Sequence, residues 1–346
     1  MKRILVIALI LPLFLVRVHG AELEIPPAPN DVQIYMPHED ETFIDGLLYI
    51  LSTAISKILP DLTQGIQTGL LMLSAALATT IISSFSSSVK NTSELISVVF
   101  CAIILLSSAN SLIRLGIDTI AQMDSYGKLL LPVMTTALAS GGGMTASASL
   151  YAGTTIFSSL LTSAISKIFV PLIYAYIAIS VSYRALGEDV LASFKQFIKW
   201  LMTWLLKIIL YVFTGFITIT GVVSGSTDAM TLKATKITVS GMIPVVGGII
   251  SDASEAILVG AGVMKNAAGI YGIFAFLAIC VSPILKITAH CIIMKISSAL
   301  CGVFGLKAQA GLIEDFSQVM NMILAATGSI CLLLLISVVA FMKGVN

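Results

Sequence analysis

The side chains able to do chemistry in this chain are few and far apart. The three histidines are His19, His38 and His290, and no two of them approach a metal-ligand spacing. The five cysteines, Cys101, Cys280, Cys291, Cys301 and Cys331, lie in or beside apolar runs and form no CxxC pair. Their odd number excludes a complete disulfide framework, and the expectation is five small buried hydrophobes. No phosphate-binding loop, GxSxG elbow or HExxH helix is present. Gly141-Gly142-Gly143 has no lysine placed as a phosphate loop needs and reads as a helix break. Neither an enzymatic activity nor a cofactor or metal is expected.

Ionisable residues embedded in apolar sequence are the remaining candidates, because a charge inside a membrane span is a functional candidate by default. Lys207 lies three residues inside an apolar run that starts at Trp204, from where its long stem can also snorkel back to an interface marked by Trp200 and Trp204. Lys286 and His290 follow Pro283 at i and i+4, and either sit inside a span or end it at the interface. Charges also come in pairs at helical spacing, Lys233 with Lys236 and Asp252 with Glu255.

The elements that would carry these residues are membrane helices. Of 346 residues, 57% are hydrophobic and 11% charged, with mean hydropathy +1.02. A soluble domain carries about 25% charged residues, so this chain could not cover a water-facing surface. The surplus apolar surface requires a bilayer. A net charge of +1 argues against a nucleic-acid partner and leaves membrane lipid as the solvent.

Residues 1–20 read as a signal peptide, with Lys2 and Arg3 before the apolar stretch Ile4–Val16 and small residues ahead of Ala21. Residues 21–42 form a polar, acidic arm that four prolines keep extended, expected outside the cytoplasm. Residues 43–346 form the transmembrane domain. Phe43–Leu59 is expected as a helix on the membrane surface or packed on the bundle. Apolar runs at Ile66–Phe85, Leu95–Ile113, Trp204–Val223, Ala267–Met294 and Phe316–Met342 are expected to span. Leu129–Ala139 is too short alone, and Ala146–Ile165 with Ile168–Tyr183 makes either two crossings or one hairpin. The reading is an all-α polytopic bundle of roughly six to eight spans. Arg184, Lys195 and Lys199 cluster between two spans and place that loop in the cytoplasm.

Small residues recur at four-residue spacing: Gly65 with Gly69, Ser158 with Thr162 and Ser166, and Gly221 with Gly225. In lipid, helices associate through close packing rather than hydrophobic drive, so these stripes are candidate helix seams. The segment Thr214–Gly272 is different. Its apolar pieces are too short to span and are interrupted at Ser224-Gly225-Ser226 and at Pro244 with Gly247 and Gly248. Broken or re-entrant helices over 224–265 would look this way, and such backbone is tolerated only inside protein or along a wet cavity. Ser224, Gly225, Ser226, Pro244, Gly247, Gly248, Asp252 and Glu255 are therefore candidate cavity or channel-lining residues. An interfacial loop with two surface helices would read the same way.

The stretch Lys199–Gly272 resembles the signature of the stage III sporulation protein AE family. It is carried by Val212-Phe213-Thr214-Gly215-Phe216, Gly221-Val222-Val223-Ser224-Gly225-Ser226, Pro244-Val245-Val246-Gly247-Gly248, Ser251-Asp252-Ala253 and Lys265-Asn266-Ala267. Leu130-Leu131-Pro132, ahead of the glycine break, fits too. The resemblance implies a multispanning subunit of a complex linking mother cell and forespore, in the mother-cell membrane around the engulfed forespore. It implies other membrane proteins of that sporulation complex as partners and a role in late forespore gene expression. Self-association, a secondary transporter for a small solute and a purely structural membrane scaffold stay open beside it.

Overall fold

The computed structural model describes residues 25–38, 41–85, 90–140, 144–186, 189–219 and 267–344. Apart from a short 3-10 turn at Gln33–Tyr35, these residues build seven α-helices: α1 (Phe43–Phe85), α2 (Lys90–Ser140), α3 (Met144–Ala164), α4 (Val170–Leu186), α5 (Asp189–Ile219), α6 (Ala267–Val303) and α7 (Lys307–Gly344). Because α3 and α4 run on as one rod, they form six helical segments long and apolar enough to cross a membrane. The fold is an all-α polytopic bundle.

Local chemistry accounts for where helices start, bend and stop. At α1, the backbone N–H of Asp45 donates to Thr42 Oγ1 at 3.3 Å, and the Thr42 hydroxyl donates to Asp45 Oδ2 at 2.5 Å. Thr42 thus caps the helix by satisfying one otherwise orphaned N–H, and the Asp45 carboxylate holds its hydroxyl in place. At α6, Leu306 N–H reaches Cys301 O at 2.9 Å and Gly305 N–H reaches Gly302 O at 3.0 Å, with Gly305 at φ +77. Only glycine takes that left-handed conformation without cost, and it turns the chain straight into α7.

Several apolar runs that read separately in the sequence are continuous here. The surface helix expected at 43–59 and the span expected at 66–85 are one helix of 43 residues running through Pro60. The short run Leu129–Ala139 continues Leu95–Ile113 in a helix of 51 residues, about 75 Å at 1.5 Å per residue. Neither two crossings nor a hairpin forms between Met144 and Leu186. Instead α3 and α4 are joined by a π-helical turn at Ile165–Phe169, with Val170 N–H bonded to Ile165 O. Pro171 explains it: its nitrogen has no hydrogen to donate and its ring crowds the carbonyl one turn back, so the rod widens by one residue rather than breaking. Lys195 and Lys199, read as loop residues, stand on the first turns of α5.

Side-chain contacts give the directions. Gly46, Gly65 and Gly69 of α1 face Phe274, Ile293 and Ser297 of α6, always the same number of positions apart, so these helices run parallel. Gly116 and Gly127 of α2 face Ile323 and Leu334 of α7 in the same way. α6 and α7 are antiparallel, pairing Gly269 with Met342, Cys280 with Cys331 and Ser298 with Ala310. The passes alternate in direction, and the centre is α7, whose stretch from Met322 to Met342 is buried except at Ile336.

Candidate functional site

The densest polar cluster sits where α4 ends and α5 begins, against the first half of α7. Asp315 is buried at 5% exposure. Its Oδ2 accepts from Arg184 Nε at 3.1 Å and its Oδ1 from Lys195 Nζ at 2.7 Å. Both cations also lie 5.0 Å from the ring centroid of Tyr183. One turn along, Lys199 Nζ donates to Gln318 Oε1 at 2.9 Å, and Gln318 Nε2 donates to Glu314 Oε1 at 3.1 Å. Gly311 gives the Arg184 guanidinium its room, since a Cβ there would collide with it. Two cations on one buried carboxylate satisfy the demand that buried charges be paired, and they tie three helices together.

A second cluster joins α2 to α3. Asp124 of α2, 7% exposed, accepts from Ser158 Oγ of α3 at 2.8 Å and from Lys128 Nζ at 2.6 Å. Further along α3, the Thr154 hydroxyl donates to Ser337 Oγ of α7 at 3.1 Å.

The arm residues 25–38 fold back onto α2 and α6. Tyr126 OH donates to Pro26 O at 3.2 Å, and Ala28 N–H donates to Tyr271 OH at 3.1 Å. Gln122 Nε2 donates to Asp31 Oδ2 at 2.6 Å, and Tyr35 OH to Ser282 Oγ at 3.3 Å. Ala28 and Val32 of the arm are themselves buried against the bundle. The arm thus packs at the level of the C-terminal half of α7, whereas Arg184 and Lys195 meet its N-terminal half at Asp315.

Among the expected seam residues, Gly65 and Gly69 both face α6: a Cβ at Gly65 would lie 2.7 Å from Ile293 Cδ1, and one at Gly69 2.6 Å from Ser297 Oγ. Ser158 faces α2, Thr162 is half-buried, and Ser166 is exposed and donates to its own helix at Thr162 O. Lys207 is exposed on α5. Lys286 is half-buried inside α6, and His290 Nδ1 lies 3.0 Å from its carbonyl oxygen, which makes Nδ1 the protonated nitrogen. The α6 helix passes through Pro283, so both residues are helical rather than terminal. Gly221, Ser224, Gly225, Ser226, Pro244, Gly247, Gly248, Asp252 and Glu255 lie outside the described residues. Asp315, Glu314, Asp124, Tyr126 and Tyr271 escaped the sequence reading. The available signal was a carboxylate beside one large apolar residue, Asp315 before Phe316 and Asp124 after Met123.

The family model of stage III sporulation protein AE matches residues 38–344. The chain belongs to the stage III sporulation protein AE family. It is 23% identical over 252 residues to stage III sporulation protein AE of Bacillus subtilis (strain 168), a match that covers 72% of this chain and 63% of that protein. No solved structure matches. The family makes this a sporulation-related membrane protein, and both polar clusters lie within the matched residues. So does the block Val212–Phe216 on α5, where Phe213 is fully buried edge-on to Phe157 at 5.5 Å and Phe216 covers Gly153.

Proposed function

We propose that this family member is a membrane-embedded subunit of a channel or secretion-like assembly that joins mother cell and forespore and sustains late gene expression in the forespore. It would occupy the mother-cell membrane around the forespore, in a non-enzymatic role, with other membrane proteins of the same sporulation complex as partners. The observation that carries this reading is the family match over residues 38–344, on a bundle of six alternating apolar passes. The packing of α7 refines it. The middle of the described bundle is filled by Leu333, Leu334, Val338 and Phe341, each at most 1% exposed. A subunit so packed suits a wall or anchor, with any passage running between subunits. That favours the assembly reading over a self-contained solute carrier.

Deletion of the gene tests it, scored for heat-resistant spores and for a late forespore reporter after engulfment. Loss of both with engulfment complete is the expected result. Normal spores would overturn the proposal and bring small-solute uptake forward.

A further inference from the structure

Helix α5 is apolar on both faces: Ile198, Met202, Leu206, Ile209 and Phe213 are buried in the bundle, and a second apolar face points out of it. Lys195 turns inward to Asp315, while Phe194, Phe197, Trp200 and Trp204 face outward, each between 50% and 56% exposed. Successive ring centroids lie 6.3, 6.0 and 5.9 Å apart, the first pair tilted and the other two stacked. Ile208, Tyr211 and Val212 carry the exposed face onward. An outward apolar face on a membrane helix meets lipid.

One edge of this ladder is not apolar. Lys199, Thr203 and Lys207 follow at i, i+4 and i+8, which places them along the same side of the helix over about 12 Å. Both lysines are exposed. The Lys199 ammonium donates to the neutral Gln318, and Thr203 Oγ1 donates to Lys199 O at 2.9 Å. Among the described residues neither lysine has a carboxylate within ion-pair distance. An exposed ammonium beside a lipid-facing aromatic stripe is stabilised by an anion at the headgroup level, and a bilayer supplies that anion as phosphodiester. A zwitterionic lipid offsets its phosphate with its own cation, whereas two neighbouring lysines favour a lipid of net negative charge.

We propose that the Lys199–Thr203–Lys207 edge, beside Trp200 and Trp204, binds the headgroup of an anionic phospholipid of the phosphatidylglycerol class. The phosphate lies between the two ammonium groups, and the acyl chains run along Ile208 and Val212.

The chain has only two tryptophans, Trp200 and Trp204, so its tryptophan fluorescence reports on this face alone. The test reconstitutes the full chain in vesicles that mix phosphatidylcholine with phosphatidylglycerol, one or the other carrying brominated acyl chains. Expected is a several-fold preference for quenching by the brominated anionic lipid, falling to near one in the Lys199→Gln/Lys207→Gln double variant. In pure brominated lipid the variant should quench as fully as the wild type, which shows the helix still placed in the bilayer. Lys57→Gln, an exposed lysine on α1, should keep the wild-type preference. Equal quenching by the two lipids in the wild type would overturn the proposal. So would an undiminished preference in the double variant, or the same loss in Lys57→Gln. Quenching by neither lipid would also overturn it, because protein rather than lipid would then cover the ladder.

Discussion

Ser158 of α3 donates its hydroxyl proton to Asp124 of α2 at 2.8 Å, while the other carboxylate oxygen takes Lys128 at 2.6 Å. Asp124 is nearly enclosed and Lys128 is mostly exposed, with side-chain exposures of 10% and 58%. The serine is thus the partner that reaches the buried side of the carboxylate. Removing it leaves a charged acceptor underbonded inside the bundle, at a cost of about 2 kcal/mol. Ser158→Ala should lower the midpoint of thermal unfolding in detergent measurably. Ser166→Ala, on the exposed continuation of the same stripe, should leave it unchanged.

Asp315 holds two cations at once, so its loss is worse than the loss of either partner. Asp315→Asn would strand Arg184 and Lys195 with no carboxylate between them. Breaking a buried pair from one side costs about 3–5 kcal/mol, and the partial exposure of Arg184 argues for the low end. Arg184→Gln leaves Lys195 on Asp315 and should cost less. Protein level in the membrane and unfolding midpoint should both rank wild type above Arg184→Gln above Asp315→Asn. A reversed order would refute the shared-carboxylate geometry.

The seam between α1 and α6 makes a third prediction. At Gly69 a Cβ already comes within 2.6 Å of Ser297 Oγ, and at Gly65 within 2.7 Å of Ile293 Cδ1, whereas Gly215 has nothing within 4 Å. Leucine at Gly65 or Gly69 should force the helices apart and lower the steady-state level. Leucine at Gly215 is the matched control and should be tolerated. Equal levels in all three variants would show that α1 and α6 do not pack as described.

Hydropathy made the class and most spans legible, and the way it fails is physical. The polar middle of α2, from Arg114 to Lys128, interrupts the apolar sequence, so Leu95–Ile113 and Leu129–Ala139 read as separate runs. Its polar groups are spent on tertiary partners instead: Gln122 on Asp31, Tyr126 on Pro26, Asp124 on Ser158. A window average cannot tell a polar residue facing water from one facing a partner helix. The same blindness placed Lys195 and Lys199 in a loop, although their targets, Asp315 and Gln318, lie over a hundred positions away in the chain. The seam glycines Gly65 and Gly69 were readable because small-residue spacing is a local property of one helix. The Arg184–Asp315 cluster was readable only in halves, since no local pattern joins the end of α4 to the start of α7.

The arm supplies the final prediction. Tyr126 and Tyr271 each hold backbone of residues 26–28 with a single phenol, at 3.2 and 3.1 Å. Replacing either tyrosine by phenylalanine keeps the ring and deletes the hydrogen bond, for about 1 kcal/mol. Each change should raise the open fraction of the arm about five-fold, and the two together by more than ten-fold, because both bonds close the same short segment. The readout is the rate at which a protease cuts between residues 25 and 38 in the purified full chain, at protease levels where cutting follows the open population. The Tyr126→Phe/Tyr271→Phe variant should be cut faster than either single variant while its global unfolding midpoint stays close to wild type. An unchanged rate in the double variant would mean that burial of Ala28 and Val32, rather than the two phenols, holds the arm down.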